Sequence, residues 1–151
     1  MKSFKVDWVI KNKLAIGIAP REKEHLNILK NQGIKSIMSL CDVSEAPPPK
    51  EMNEIFNCER IVLPDHKYDR NLEIEEISNV LKTMKKMEDK MPIYVHCLAG
   101  KERSPLICMA WLRVNKKIDN IQALNYMMQV HSGTCPLDDH LYTLDNYLKT
   151  L

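Results

Sequence analysis

The segment His96-Cys97-Leu98-Ala99-Gly100-Lys101-Glu102-Arg103-Ser104-Pro105 gathers an imidazole, a thiol, a guanidinium and a hydroxyl within one short stretch of the chain. It lies between the apolar run PIYVHC, which predicts a buried strand, and a stretch with helical spacing. A strand–loop–helix turn of this length can aim its backbone N–H groups and the helix dipole at one point, forming a nest for a tetrahedral oxyanion such as phosphate. Gly100 permits the turn, and Pro105 suits a first helical turn, where its missing N–H costs nothing. The same amides and Arg103 favour the thiolate of Cys97, which makes it a candidate nucleophile. The planar fork of Arg103 matches two phosphoryl oxygens, and residues Leu98, Ala99, Gly100, Lys101 and Glu102 supply the backbone of the anion site. Ser104 is placed to donate to the sulfur and ease its departure. His96 is read as a packed ring that bonds nearby backbone and fixes the loop, in preference to a proton carrier.

The rest of the chain must hold that loop. Its 151 residues suit one domain, taken as 1–151, and 44% hydrophobic with 28% charged residues is a globular balance. A net charge of +2 with interspersed signs offers no broad field for nucleic acid or anionic lipid, so any anion site must be local. The charged start MKSFKVDWVIKNK has no apolar leader core, and the apolar run Leu106 to Leu112 is too short to span a bilayer. A cytoplasmic protein without stable membrane association is expected. Five cysteines, Cys41, Cys58, Cys97, Cys108 and Cys135, form no C-x-x-C pair, which argues against a disulfide framework or a four-ligand zinc site. All but Cys97 read as small buried hydrophobes.

VDWVI and LAIGIA predict a hairpin around Asn12-Lys13. REKEHLNILKNQ predicts a helix with Leu26, Leu29 and Lys30 on one face, stopping at Gly33, and IKSIMSL a strand. CDVSEAPPPK is a loop stiffened by three prolines. KEMNEIFN then reads as a short helix and ERIVLP as a strand ended by Pro64. Asn71 is expected to cap a helix carrying Ile74, Ile77, Val80, Leu81, Met84 and Met87. After Arg103 come three helices, marked by Leu106, Met109, Ala110 and Val114, by Ile121, Leu124 and Met128, and by Leu137, Leu141, Leu144, Leu148 and Leu151. This alternation predicts an α/β fold with a short, mostly parallel sheet flanked by helices, and a ligand site beyond the carboxyl ends of its strands.

A Cys six residues before an Arg arises by chance roughly one time in six in such a chain, but the added His, Gly and Ser lower that to the order of one in a hundred thousand. HCLAGKERS resembles the H-C-x-x-G-x-x-R-S/T motif of the cysteine-dependent protein phosphatases, of the small dual-specificity type. IAPREKEHLNILKNQGIKSIMSL is similar to that family's opening helix and strand. The resemblance implies a sheet of four or five strands, a phosphocysteine intermediate, a phosphorylated protein as substrate, and neither metal nor cofactor. It also implies a carboxylic acid upstream of the motif. LPDHKYDRN offers Asp65, which directly follows the strand and is favoured, and Asp69, which reads more simply as a turn residue paired with Arg70. Asp138 and Asp139 are explained by a helix N-terminus.

Glu102 departs from the small residue common before the arginine, and it is expected to point outward beside Lys101. Lys101 is similar to a loop lysine of phosphoinositide phosphatases, though Leu98 stands where those enzymes often carry a second base. Low-molecular-weight phosphatases share C-x5-R-S-P but place it near the N-terminus. The rival readings are a phosphoinositide phosphatase, a phosphate-binding module without turnover, and a redox enzyme in which Cys41 or Cys58 resolves an oxidised Cys97.

Overall fold

The computed structural model describes residues 3–151, so the first two residues of the charged start lie outside it. β1 (Asp7–Ile10) and β2 (Leu14–Gly17) form the expected hairpin, turning through Asn12 at φ +63, a conformation that Asn tolerates better than most residues. There follow α1 (Lys23–Asn31), β3 (Ser36–Ser39), α2 (Met52–Ile55), β4 (Asn57–Arg60), α3 (Ile74–Lys86), a 3-10 turn at Glu88–Lys90, β5 (Ile93–His96), α4 (Arg103–Lys116), α5 (Asn120–Val130) and α6 (Asp138–Lys149). The strands form one five-stranded sheet in the order β1-β2-β5-β3-β4, antiparallel only between β1 and β2. No helix among the described residues is long and apolar enough to cross a membrane.

Successive strand residues face opposite sides, and both sides are apolar because helices cover both. Leu14, Ile16, Met38, Ile93 and Val95 pack with α3, α4, α5 and α6. Ala15, Ile37 and Tyr94 pack with Leu26 and Leu29 of α1 and Met52 of α2. The register places Gly17, His96, Ser39 and Arg60 in one row across four strands. Every loop that leaves this row therefore starts from the same edge of the sheet.

Several boundaries differ from the sequence reading. The ladder of β4 begins at Asn57, and beyond Arg60 it slips: Ile61 N and Leu63 N, two residues apart, donate to the adjacent carbonyls of Ser39 and Leu40, both at 3.0 Å. That bulge-like offset makes ERIVLP a bent continuation of the strand. Asn71 does not cap α3; Glu73 does, with Glu73 N donating to Glu76 Oε1 at 3.0 Å. Arg70 grips the same Glu76 through both Nη atoms at 2.8 and 2.9 Å, so it does not pair with Asp69. On α5 the buried residues are Ala123 and Met127, while Ile121 and Met128 are exposed. Tyr126 Oη donates to Val9 O at 2.5 Å, which turns that helix toward β1. Val114, Leu151 and Lys30 are likewise exposed.

Gly17 is fixed by close approach, because a Cβ there would overlap the Tyr94 hydroxyl and lie 2.8 Å from the backbone oxygen of Lys5. Tyr94 cannot easily swing aside, since its ring is fully buried and its Oη donates to Ile18 O at 2.6 Å. Gly17→Ala is expected to cost about 1–3 kcal/mol through overpacking, read as a lower urea midpoint; an unchanged midpoint would show that the hairpin yields instead.

Candidate active site

The loop between β5 and α4 is held by its carbonyls. His96 Nδ1 lies 2.9 Å from Cys97 O, and since a carbonyl only accepts, that nitrogen carries the proton and Nε2 accepts from Ser39 Oγ at 2.7 Å. Leu98 O accepts from Ala19 N at 3.3 Å, Gly100 O from His131 Nε2 at 2.5 Å, and Lys101 O from Cys135 N at 2.7 Å. In a trans peptide the N–H points opposite to the C=O, so tying these carbonyls to the scaffold turns the following amides the other way. None of the contacts that hold the loop uses an N–H of residues 98–102. Gly100 adopts φ +71, and a Cβ there would meet Gly17 O at 3.1 Å, so both the conformation and the space call for glycine.

His96 is buried, and burial pushes its pKa down to about 4. It is therefore neutral at ordinary pH and acts as the packed brace expected. His131 was not singled out by the sequence: its Nδ1 lies 2.6 Å from Asp7 Oδ2, so both ring nitrogens face oxygen atoms. Asp7, His131, Gly100 and Lys101 border a cavity of about 480 Å³ behind the loop.

On the other side, Asp65, Cys97, Leu98, Ala99, Lys101, Glu102 and Arg103 line a pocket of about 140 Å³ with His66 and Lys67. Cys97 is buried, and Ser104 Oγ lies 3.2 Å from its Sγ, within hydrogen-bond reach with either atom able to donate. Asp65 is also buried, with Oδ1 accepting from Lys67 N at 2.9 Å and Oδ2 lying 3.5 Å from Arg103 Nη2. Asp69, Asp138 and Asp139 are exposed and do not line this pocket.

Arg103 differs from the expected free fork. Its side chain is 2% exposed, and its Nη1 and Nη2 donate to Glu45 Oε2 and Oε1 at 3.2 and 2.8 Å. Nη1 also reaches Leu63 O at 3.2 Å and Leu40 O at 3.4 Å. Burial is the largest single influence and works against the charge of Arg103, but the bonds to Glu45 together with the charges of Cys97, Glu45 and Asp65 outweigh it and raise its pKa. The same bonds hold the Glu45 carboxyl down at about 2, helped by Asp42 N and Tyr68 Oη, which donate to Glu45 Oε2 at 3.0 and 3.1 Å. Nε–H of Arg103 is buried and has no partner among the described residues, so this edge still has a donor to offer. Glu45 sits in the proline-rich loop, where no spacing relative to Arg103 signals it.

Glu102 does not pair with Lys101 but accepts from His66, from its N at 3.2 Å and from its Nδ1–H at 2.7 Å. Asp65, His66 and Glu102 bring ligand-type atoms within 4.8 Å of one another, but the His66–Glu102 bonds and the Asp65–Arg103 contact already engage them within the protein. All five cysteines are free. Cys41 and Cys108 are buried, burial raises the thiol of Cys58 to about 11, and Cys135 is exposed, against the packing reading. Cys41 follows β3 beside the site, where the charges of Arg103, Glu45 and Cys97 reach it, whereas Cys58 donates toward Met52 O and Phe56 O on the far side of α2.

Residues 16–150 match the family described as dual specificity phosphatase, catalytic domain. The dual specificity protein phosphatase PHS1 of Arabidopsis thaliana is 26% identical over 135 residues, covering 88% of this chain and 14% of PHS1, so the chain spans about one seventh of that relative's length. Among solved structures, PTPMT1 in complex with PI(5)P superposes with a TM-score of 0.82 at 14% identity, covering 96% of this chain and 95% of that one. Tk-PTP in the active form gives 0.82 at 15% identity, covering 97% of both chains. A human tyrosine phosphatase-like serine/threonine/tyrosine-interacting protein gives 0.78 at 16% identity, covering 96% of both. These structural likenesses establish the fold, and the sheet of five strands meets the expectation of four or five.

The neutral His96 has a measurable consequence. An unfolded chain takes up its proton near 6.5 and the folded one only near 4, so the unfolded state binds more protons between these values. Stability is therefore expected to fall as pH drops from about 6.5 to about 4, by on the order of 3 kcal/mol, and to lose nothing more from this group below that. Urea unfolding of wild type and His96→Asn at several pH values checks this: the variant should show the flatter profile, and parallel profiles would mean that His96 is not the titrating group.

Proposed function

The chain belongs to the dual specificity phosphatase family, and from that premise we propose that it hydrolyses phosphotyrosine, and phosphoserine or phosphothreonine, in proteins through a phosphocysteine intermediate. The observation that carries this reading is that Cys97, Asp65 and buried Arg103, whose Nε–H has no partner among the described residues, line one small pocket. Binding alone would need neither nucleophile nor acid, which disfavours a module without turnover.

Cys97 Sγ attacks phosphorus in line, forming the S–P bond as the ester P–O bond breaks. The free edge of Arg103 and the inward amides of the loop stabilise the equatorial oxygens, while Asp65 gives its proton to the leaving oxygen. Water then attacks phosphorus and passes a proton to Asp65, and the S–P bond breaks with Ser104 donating to the departing sulfur. Glu45 keeps Arg103 in its plane. The proposal takes 1–151 as one catalytic unit, supported by the family match over 16–150, and retains the cytoplasmic setting expected above.

A second reading, a phosphoinositide phosphatase, is favoured by the lysines Lys67 and Lys101 at the pocket rim and by the likeness to PTPMT1 with PI(5)P. The apolar Leu98 on the same rim weighs for phosphoprotein. Parallel assays with a phosphotyrosine peptide, a phosphothreonine peptide and phosphoinositide vesicles rank the two.

Hydrolysis of an aryl phosphate should be abolished in Cys97→Ser, while vanadate or a phosphopeptide still binds. Turnover that survives this change would overturn the mechanism. Asp65→Asn should slow esters with poor leaving groups about 10²–10⁴-fold and those with good leaving groups far less. Asp69→Asn should do little, and the reverse ranking would exchange their roles.

A further inference from the structure

Glu102 puts a carboxylate beside an anion site, where an unpartnered negative charge would repel the substrate. Here both of its oxygens are spent on one residue, His66, through the 3.2 Å bond from His66 N and the 2.7 Å bond from Nδ1. A carboxylate only accepts, so Nδ1 carries its proton, and the bond is charge-assisted. His66 immediately follows Asp65. The turn that bears the acid is tied within itself by Lys67 N to Asp65 Oδ1 at 2.9 Å and Tyr68 N to Asp65 O at 3.1 Å. Residues 65–68 therefore move as one unit, and Glu102 grips that unit from inside the phosphate loop. The turn has two further ties at its rim, the looser 3.5 Å contact of Asp65 with Arg103 of α4 and the 3.1 Å bond from Tyr68 Oη to Glu45.

Resting on the phosphatase reading above, we propose that Glu102 and His66 form a latch that fixes the angle of Asp65 over Cys97, making both positioning residues for protonation of the leaving oxygen. Each carboxylate oxygen has a separate task. One holds the backbone of the turn and the other holds the ring, so the turn is fixed in both position and rotation. The latch acts on the acid and not on the nucleophile, so its effect is confined to esters that need a proton.

The test compares aryl phosphates of high and low leaving-group pKa in wild type, His66→Ala, Glu102→Ala, Glu102→Gln and the double Ala variant, with urea midpoints to confirm folding. Glu102→Ala should lower kcat about tenfold more for the poor leaving group than for the good one. His66→Ala, which keeps the backbone bond, should show a smaller bias, and Glu102→Gln, which keeps one carbonyl acceptor, should recover part of it. The double variant should be no worse than Glu102→Ala alone, because one latch is lost once. Hydrogen exchange of the 67–68 amides should quicken in Glu102→Ala while phosphate binding persists. Equal losses for both esters, or additive losses in the double variant, would overturn the latch. If Asp65→Asn shows the leaving-group bias and the latch variants do not, the latch alone fails. If wild type turns over no ester, the phosphatase reading falls and the latch with it.

Discussion

A guanidinium removed from water is the constraint around which the site is arranged. Withdrawing such a charge costs several kcal/mol unless it is paired and hydrogen-bonded, and Arg103 meets that demand from three irregular segments at once. Glu45 comes from the proline-rich loop, Leu40 O from the end of β3, and Leu63 O from the slipped continuation of β4. Leu40 and Leu63 already share a backbone bond, and the cation adds the proline-rich loop to that pair through Glu45. The bulge beyond Arg60 is part of the same arrangement, since its offset leaves the Leu63 carbonyl facing Arg103.

The phosphate loop obeys the complementary rule. It has no regular structure, yet its carbonyls are bonded to neighbours drawn from β5, the segment after β2 and the segment after α5. Satisfying the acceptors from outside leaves the donors of residues 98–102 unspent, which is what the proposed phosphate site requires of a loop of ordinary residues. His96 suits its place in this scheme because a neutral ring gives one hydrogen bond and takes one, joining Cys97 to β3 without adding charge beneath the anion site.

What was legible in the sequence was local. Cys97, Arg103, Ser104 and Gly100 lie within one loop, and Asp65 follows a strand that could be read from its apolar residues. Glu45, Asp7, His131 and Ser39 were not legible, because each meets its partner across 31 to 124 positions with no spacing rule to link them. The element order followed from periodicity, but helix faces did not always: α5 buries small Ala123 and leaves larger Ile121 in solvent. There the close approach of a neighbouring helix decides more than hydrophobicity does. Glu102 was visible as an oddity, but its partner lay in a different loop.

Asp7 of the first strand and His131 of the segment after α5 brace the loop between β5 and α4 from behind, through the Gly100 carbonyl. The ribosome delivers Asp7 first, Gly100 next and His131 last, with 124 positions between the first and the last. The Gly100–His131 bond therefore cannot form before the segment after α5 has left the exit tunnel, even though Cys97 and Arg103 have already been made. In a nascent chain the loop between β5 and α4 waits for this brace from a segment synthesised well after it.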